Sequence, residues 1–192
     1  MLTDQLTRSG ERRNRVGLAI VAAVISLALT SCTAVSANQS ASTSGNSKPD
    51  TADGVMPDHT SAYDTSYPGI AKLDPDLRKA VQRAESAMKD DGIKMQVTTG
   101  WRSKKYQEEL LTKAIRQYGS RKKALEYVAD PNESHHVTGN AVDLGPRDAD
   151  DWLSRHGNRY GLCQTLSNEA WHFELVTKPG DDCPPMTDPT KG

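Results

Sequence analysis

The chain has no long block of Lys or Arg, no apolar run long enough to span a bilayer comfortably, no internal repeat, and only three cysteines in 192 residues. With 24 Lys+Arg against 25 Asp+Glu the net charge is −1, so the basic footprint that nucleic-acid or polyanion binding needs is missing. Apolar periodicity is absent between residues 36 and 64, where Ser, Thr, Asn, Asp and Gly prevail. Such a stretch cannot repay its ordering entropy, which makes residues 32–65 an expected disordered tether and leaves 66–192 as one domain.

What is present begins with a targeting pattern. Arg8, Arg12, Arg13 and Arg15 precede an apolar run over 16–29, too short for a spanning helix and suited to a secretory h-region. At its end Leu29-Thr30-Ser31-Cys32 resembles the bacterial lipobox, which implies a signal peptide over 1–31 and acylation of Cys32 as the mature N-terminus. An ordinary cleavage near Ala34 or Ala37, or an uncleaved anchor, is the alternative, and every version exports the domain. Removing Cys32 leaves Cys163 and Cys183, an even pair in an oxidising compartment, so one disulfide is expected, closing a loop worth about 3 kcal/mol.

Within the domain, Asp74-Pro75 supplies an N-cap and an N1 proline, and Leu77, Ala80, Val81, Ala84 and Met88 follow at helical spacing until Gly92. Ile93, Met95 and Val97 alternate with polar residues as a half-buried strand, which delivers Gly100-Trp101-Arg102-Ser103 to its end. A second helix is expected to end near Gly119 and a short third one before Asp130-Pro131. Strands around 140–144 and 171–176 flank a helix around 149–159.

Of five histidines, three fall in two compact segments, Glu133 to Asp143 and Glu169 to Glu174. A zinc hydrolase needs about three N/O ligands, an open position and a nearby carboxylate. Gly139 permits a close turn that could bring a His and Asp143 together, although periodicity does not choose between His135 and His136. In the second segment alternation puts Trp171, Phe173 and Leu175 on one strand face and His172 with Glu174 on the other.

Ser134-x-His136-x-x-Gly139-x-Ala141-x-Asp143 together with Glu169-x-Trp171-His172, and Gly100-Trp101-Arg102-Ser103 with Gln107 upstream, resembles the VanY-type D-alanyl-D-alanine carboxypeptidases. That family includes D,D-dipeptidases and L,D-carboxypeptidases. Ala170 stands where the family commonly has Pro. The resemblance spans about residues 66–185 and implies one zinc ion on His136, Asp143 and His172, with Glu169 as general base. It implies Arg102 as the group that polarises the scissile carbonyl, and Ser134 and Gln107 as substrate-binding residues. The expected reaction is removal of the terminal D-alanine from peptidoglycan stem peptides by metal-activated water rather than through an acyl-enzyme. The implied fold is α+β, helices packed on a small, mainly antiparallel sheet with the zinc site at its open edge where the two motifs meet. The protein is expected to be a monomer, held by Cys32 at the outer face of the cytoplasmic membrane or cell envelope. A zinc-bearing but non-catalytic wall-binding lipoprotein is the competing reading, and the presence of Glu169 and Arg102 argues against it.

Overall fold

The computed structural model describes residues 47–191. Cys32, the signal-like segment 1–31 and the first part of the tether, 32–46, lie outside the described residues. Six α-helices are described: α1 Pro68–Ala71, α2 Pro75–Asp90, α3 Lys104–Tyr118, α4 Arg121–Ala124, α5 His135–Thr138 and α6 Arg147–His156. Four strands, β1 Gln96–Thr99, β2 Ala141–Gly145, β3 Leu162–Gln164 and β4 His172–Leu175, form one antiparallel sheet in the order β1-β2-β4-β3. The architecture is the expected α+β arrangement. No described helix is long and apolar enough to cross a membrane.

The long helix α2 starts and stops where its chemistry dictates. The Asp74 carboxylate accepts the backbone N–H groups of Asp76 and Leu77, Pro75 occupies N1, and Gly92 turns the chain away at φ 75°. Its buried stripe of Leu77, Ala80, Val81, Ala84 and Met88 joins Val142, Leu144 and Phe173 of the inner strands, together with Ala149, Trp152 and Leu153 of α6. Full burial of a side chain such as Leu77 or Met88 stabilises by roughly 2 kcal/mol. All five residues of β2 are buried, because Val142 and Leu144 face this core while Asp143 faces the other side of the sheet. A smaller core of Leu111, Ala114 and Ala124 joins α3 to α4.

Residues 47–65 correct the expected tether over its second half. Asp50 caps a 3-10 turn at Thr51–Asp53, and the Asp53 carboxylate accepts from the Ser103 hydroxyl at 2.7 Å and from Lys105 at 2.9 Å. Glu85 on α2 accepts from the Ser61 hydroxyl and the Ala62 N–H, and Ala62 is fully buried. Thr60 pairs with Val97 on the outer side of β1. Polar side chains, not an apolar stripe, dock this segment, so its composition resembles that of a solvated linker.

Candidate metal centre

Backbone contacts between distant segments set the site. His136 lies on the single turn of α5, which Gly139 ends at φ 79°. A Cβ at Gly139 would stand 2.4 Å from the Lys72 carbonyl oxygen, so the turn closes there only for lack of a side chain. The strand-end segment predicted to carry Arg102 braces α5: Arg102 N–H donates to the His136 carbonyl at 3.1 Å, and the Trp101 indole to the Val137 carbonyl at 3.1 Å. Asp143 on β2 and His172 on β4 are direct register partners on the two inner strands, so sheet pairing joins the two motifs.

The three predicted ligands converge. His136 Nε2, His172 Nδ1 and Asp143 Oδ1 form a triangle whose three edges are each 3.2 Å. All three side chains are buried. A tetrahedral zinc with arms of about 2.0 Å has ligand-to-ligand edges of about 3.3 Å, so the triangle matches one face of such a polyhedron. His136 Nδ1–H donates to the Gly100 carbonyl at 2.8 Å, which leaves Nε2 as the lone-pair nitrogen. Nitrogen, nitrogen and carboxylate oxygen are the donor set zinc takes, and they face a cleft of about 380 Å³. His135, the other reading of the first motif, turns instead toward Glu174, with Nδ1 2.7 Å from Oε2.

Charge is arranged closely around this trio. Burial works against the Asp143 carboxylate, but His136, His172 and Arg102 together hold its carboxyl far below the usual range. Burial likewise opposes the charged form of His172, yet Asp143 and Glu174 push its pKa up to about 9, whereas at His136 burial prevails and lowers it. Glu169 lies beside the trio, Oε2 3.8 Å from His172 Nδ1, and burial raises its carboxyl. A tail joined by the predicted Cys163–Cys183 disulfide braces the loop that carries it: Ser167 N–H donates to the Thr187 carbonyl, and Thr187 N–H to the Thr165 carbonyl.

Arg102 donates from Nη2 to Asp143 Oδ2 at 2.6 Å and from Nη1 to Gln107 Oε1 at 3.0 Å. Asp143 therefore offers one oxygen to the trio and the other to Arg102. Gln107 is 1 % exposed, and its amide nitrogen donates to the Ala129 carbonyl, so both ends of its amide are committed to protein. Ser134 lines the cleft, as do Tyr127 and Trp171. Trp171, expected on the apolar face, is 46 % exposed because it precedes β4 and escapes the strand alternation. Sequence reasoning gave no role to Glu174, whose signal was its shared strand face with His172. Two Ser-x-x-Lys spacings, the pattern of acylating enzymes, stand outside the cleft. Ser86, before Lys89, meets the Tyr63 hydroxyl, and Ser120, before Lys123, caps α4.

The family model of VanY, D-alanyl-D-alanine carboxypeptidase, matches residues 70–183. A D-alanyl-D-alanine carboxypeptidase of Enterococcus faecalis is 24 % identical over 130 residues, covering 55 % of this chain and 48 % of its own, so the chain spans about half the length of that curated relative. Among solved structures, a mutant of the vancomycin-resistance D,D-pentapeptidase VanY in complex with Zn(II) is similar at a TM-score of 0.51 and 23 % identity, covering 54 % of this chain and 72 % of that one. The LD-carboxypeptidase LdcB is similar at a TM-score of 0.52 and 25 % identity, covering 69 % and 71 %. With the match running through both motifs, the chain belongs to the VanY family of D-alanyl-D-alanine carboxypeptidases, as its sequence resemblance implied.

Proposed function

We propose that this peptidase is a zinc-dependent D,D-carboxypeptidase that removes the terminal D-alanine from peptidoglycan stem peptides. The observation that carries the reading is the buried 3.2 Å triangle of His136, Asp143 and His172, facing a cleft with Glu169 beside it and outside it. These three residues would hold one zinc ion, which when bound supplies a Lewis acid to polarise the scissile carbonyl and acidify water. Glu169 takes the proton of the attacking water and returns it to the leaving amine, a double duty favoured by a carboxyl raised by burial. Arg102 places a permanent cation where negative charge develops on the carbonyl oxygen. Gln107 acts by holding Arg102, and the Ser134 hydroxyl is left to meet the substrate's terminal carboxylate.

An L,D-carboxypeptidase is the second reading, supported by the similarity to LdcB over 69 % of the chain. Incubation with pentapeptide, tetrapeptide and free D-Ala-D-Ala, followed by mass spectrometry with and without EDTA, separates the readings. Release of D-alanine from pentapeptide alone is expected. Cleavage of tetrapeptide alone selects the second reading, cleavage of the dipeptide alone makes the protein a D,D-dipeptidase, and activity that survives chelation removes zinc from the mechanism. We also propose export and anchoring at Cys32, supported by the basic and apolar pattern before it and by the disulfide, which suits an oxidising compartment. Cys32→Ala should leave the membrane fraction.

A further inference from the structure

His172 has two ring nitrogens, and the fold commits both. Nδ1 faces Asp143 and His136, while Nε2 on the far side of the ring donates to Glu174 Oε1 at 3.0 Å. Glu174 stands two residues along β4 and therefore on the same face. It is 7 % exposed, and a carboxylate so deeply placed is costly unless partners surround it. They do: Oε1 also accepts from the Thr165 hydroxyl at 2.9 Å, and Oε2 meets His135 Nδ1 at 2.7 Å. A residue needed only to complete the strand could be apolar at no such cost.

We propose that Glu174 is a positioning residue for the metal centre, with Thr165 and His135 as its struts. By accepting Nε2–H it fixes the tautomer and ring plane of His172, so that the Nδ1 lone pair points to the place Asp143 Oδ1 and His136 Nε2 also face. A neutral carbonyl performs this task for His136 and a carboxylate for His172, which makes His172 the more basic of the two donors. The second of the adjacent histidines thus gains a role: His136 is a ligand, and His135 supports the opposite ligand from the cleft rim. The inference rests on the zinc reading proposed above.

The test is zinc affinity of the full-length chain, measured by competition with a chromophoric chelator, together with the visible spectrum of the cobalt(II)-substituted protein. Glu174→Ala should bind zinc about 10- to 100-fold more weakly and shift the cobalt bands. Glu174→Gln, which keeps an acceptor for Nε2–H, should fall between it and the wild type. A merely structural role would lower thermal stability without this ranking or any spectral shift. Should Glu174→Ala fail to fold, His135→Ala at a side chain 58 % exposed and Thr165→Val test the same struts, each with a smaller loss of affinity expected. Unchanged affinity and spectrum in the folded variants overturn the proposal while leaving the zinc site intact. A wild-type chain that takes up no zinc overturns both.

Discussion

Replacing Arg102 by Met separates what this residue does for the fold from what it does for the reaction. Its guanidinium and the Asp143 carboxylate meet at 2.6 Å with side chains only 12 % and 8 % exposed. Breaking a buried pair from one side typically costs about 3–5 kcal/mol. Two features soften this. His136 and His172 remain within 3.2 Å of Asp143, and the buried Nε of Arg102, which has no hydrogen-bond partner, disappears and recovers about 1 kcal/mol. A net loss of about 3 kcal/mol corresponds to a melting point lower by roughly 10 °C for a domain of this size. Zinc should narrow the gap, because Arg102 repels a cation bound at Asp143 and its removal tightens zinc binding, which adds to native-state stability by mass action. Melting curves of Arg102→Met and wild type in EDTA and in saturating zinc test this, and kcat/KM should fall by about 10²- to 10³-fold from loss of oxyanion stabilisation. An equal melting shift in both conditions would refute the coupling of the pair to the metal site, and undiminished turnover would refute the oxyanion role.

Gly139→Ala should cost more than about 3 kcal/mol and weaken zinc binding, since a left-handed φ costs about 1–2 kcal/mol and the new Cβ strikes the Lys72 carbonyl. Gly92→Ala, with a similar φ and nothing within 4 Å, supplies the comparison and should cost only the strain, both read from denaturant titrations. Burial, with charge repulsion from Asp151 added, pushes the pKa of Asp150 up to about 7 from an ordinary 3.8, so the protonated form is favoured in the folded state. Stability from this group is full below pH 4 and lost as pH rises through 7; Asp150→Asn should therefore raise the melting point at pH 8 and change little at pH 4. A chain beginning at residue 66 should be less stable than one beginning at residue 47 by about 3 kcal/mol, from the lost Asp53, Ser61 and Ala62 hydrogen bonds and the uncovered core; equal urea midpoints would contradict the packing of that segment.

The helix α2 was legible because its capping and its apolar spacing lie within the segment itself, and the candidate His-Asp-His cluster because its two segments are compact. Register between His135 and His136 came from family resemblance, and the structure supplies the physical reason: Gly100 accepts from one ring while Glu174 faces the other. The fold of residues 47–65 was hidden because its partners, Glu85 and Ser103, are distant in sequence. The same holds for the partners of Gln107, which the family resemblance implied as a substrate-binding residue: its amide bonds to Arg102 and to the Ala129 carbonyl. A four-residue helix such as α5 is too short for periodicity to register.

The pairing of Thr60 with Val97 on β1 and of Leu166 with Thr187 beyond β3 reaches past the sheet itself. Both flanks are occupied at these points by the chain's own segments, which denies an incoming extended peptide the backbone groups it would need to add itself as a further strand. The stem peptide proposed above as substrate would be such a ligand. Under that proposal, recognition would fall to the side chains that line the cleft, Arg102 and Ser134 among them, rather than to the edges of the sheet.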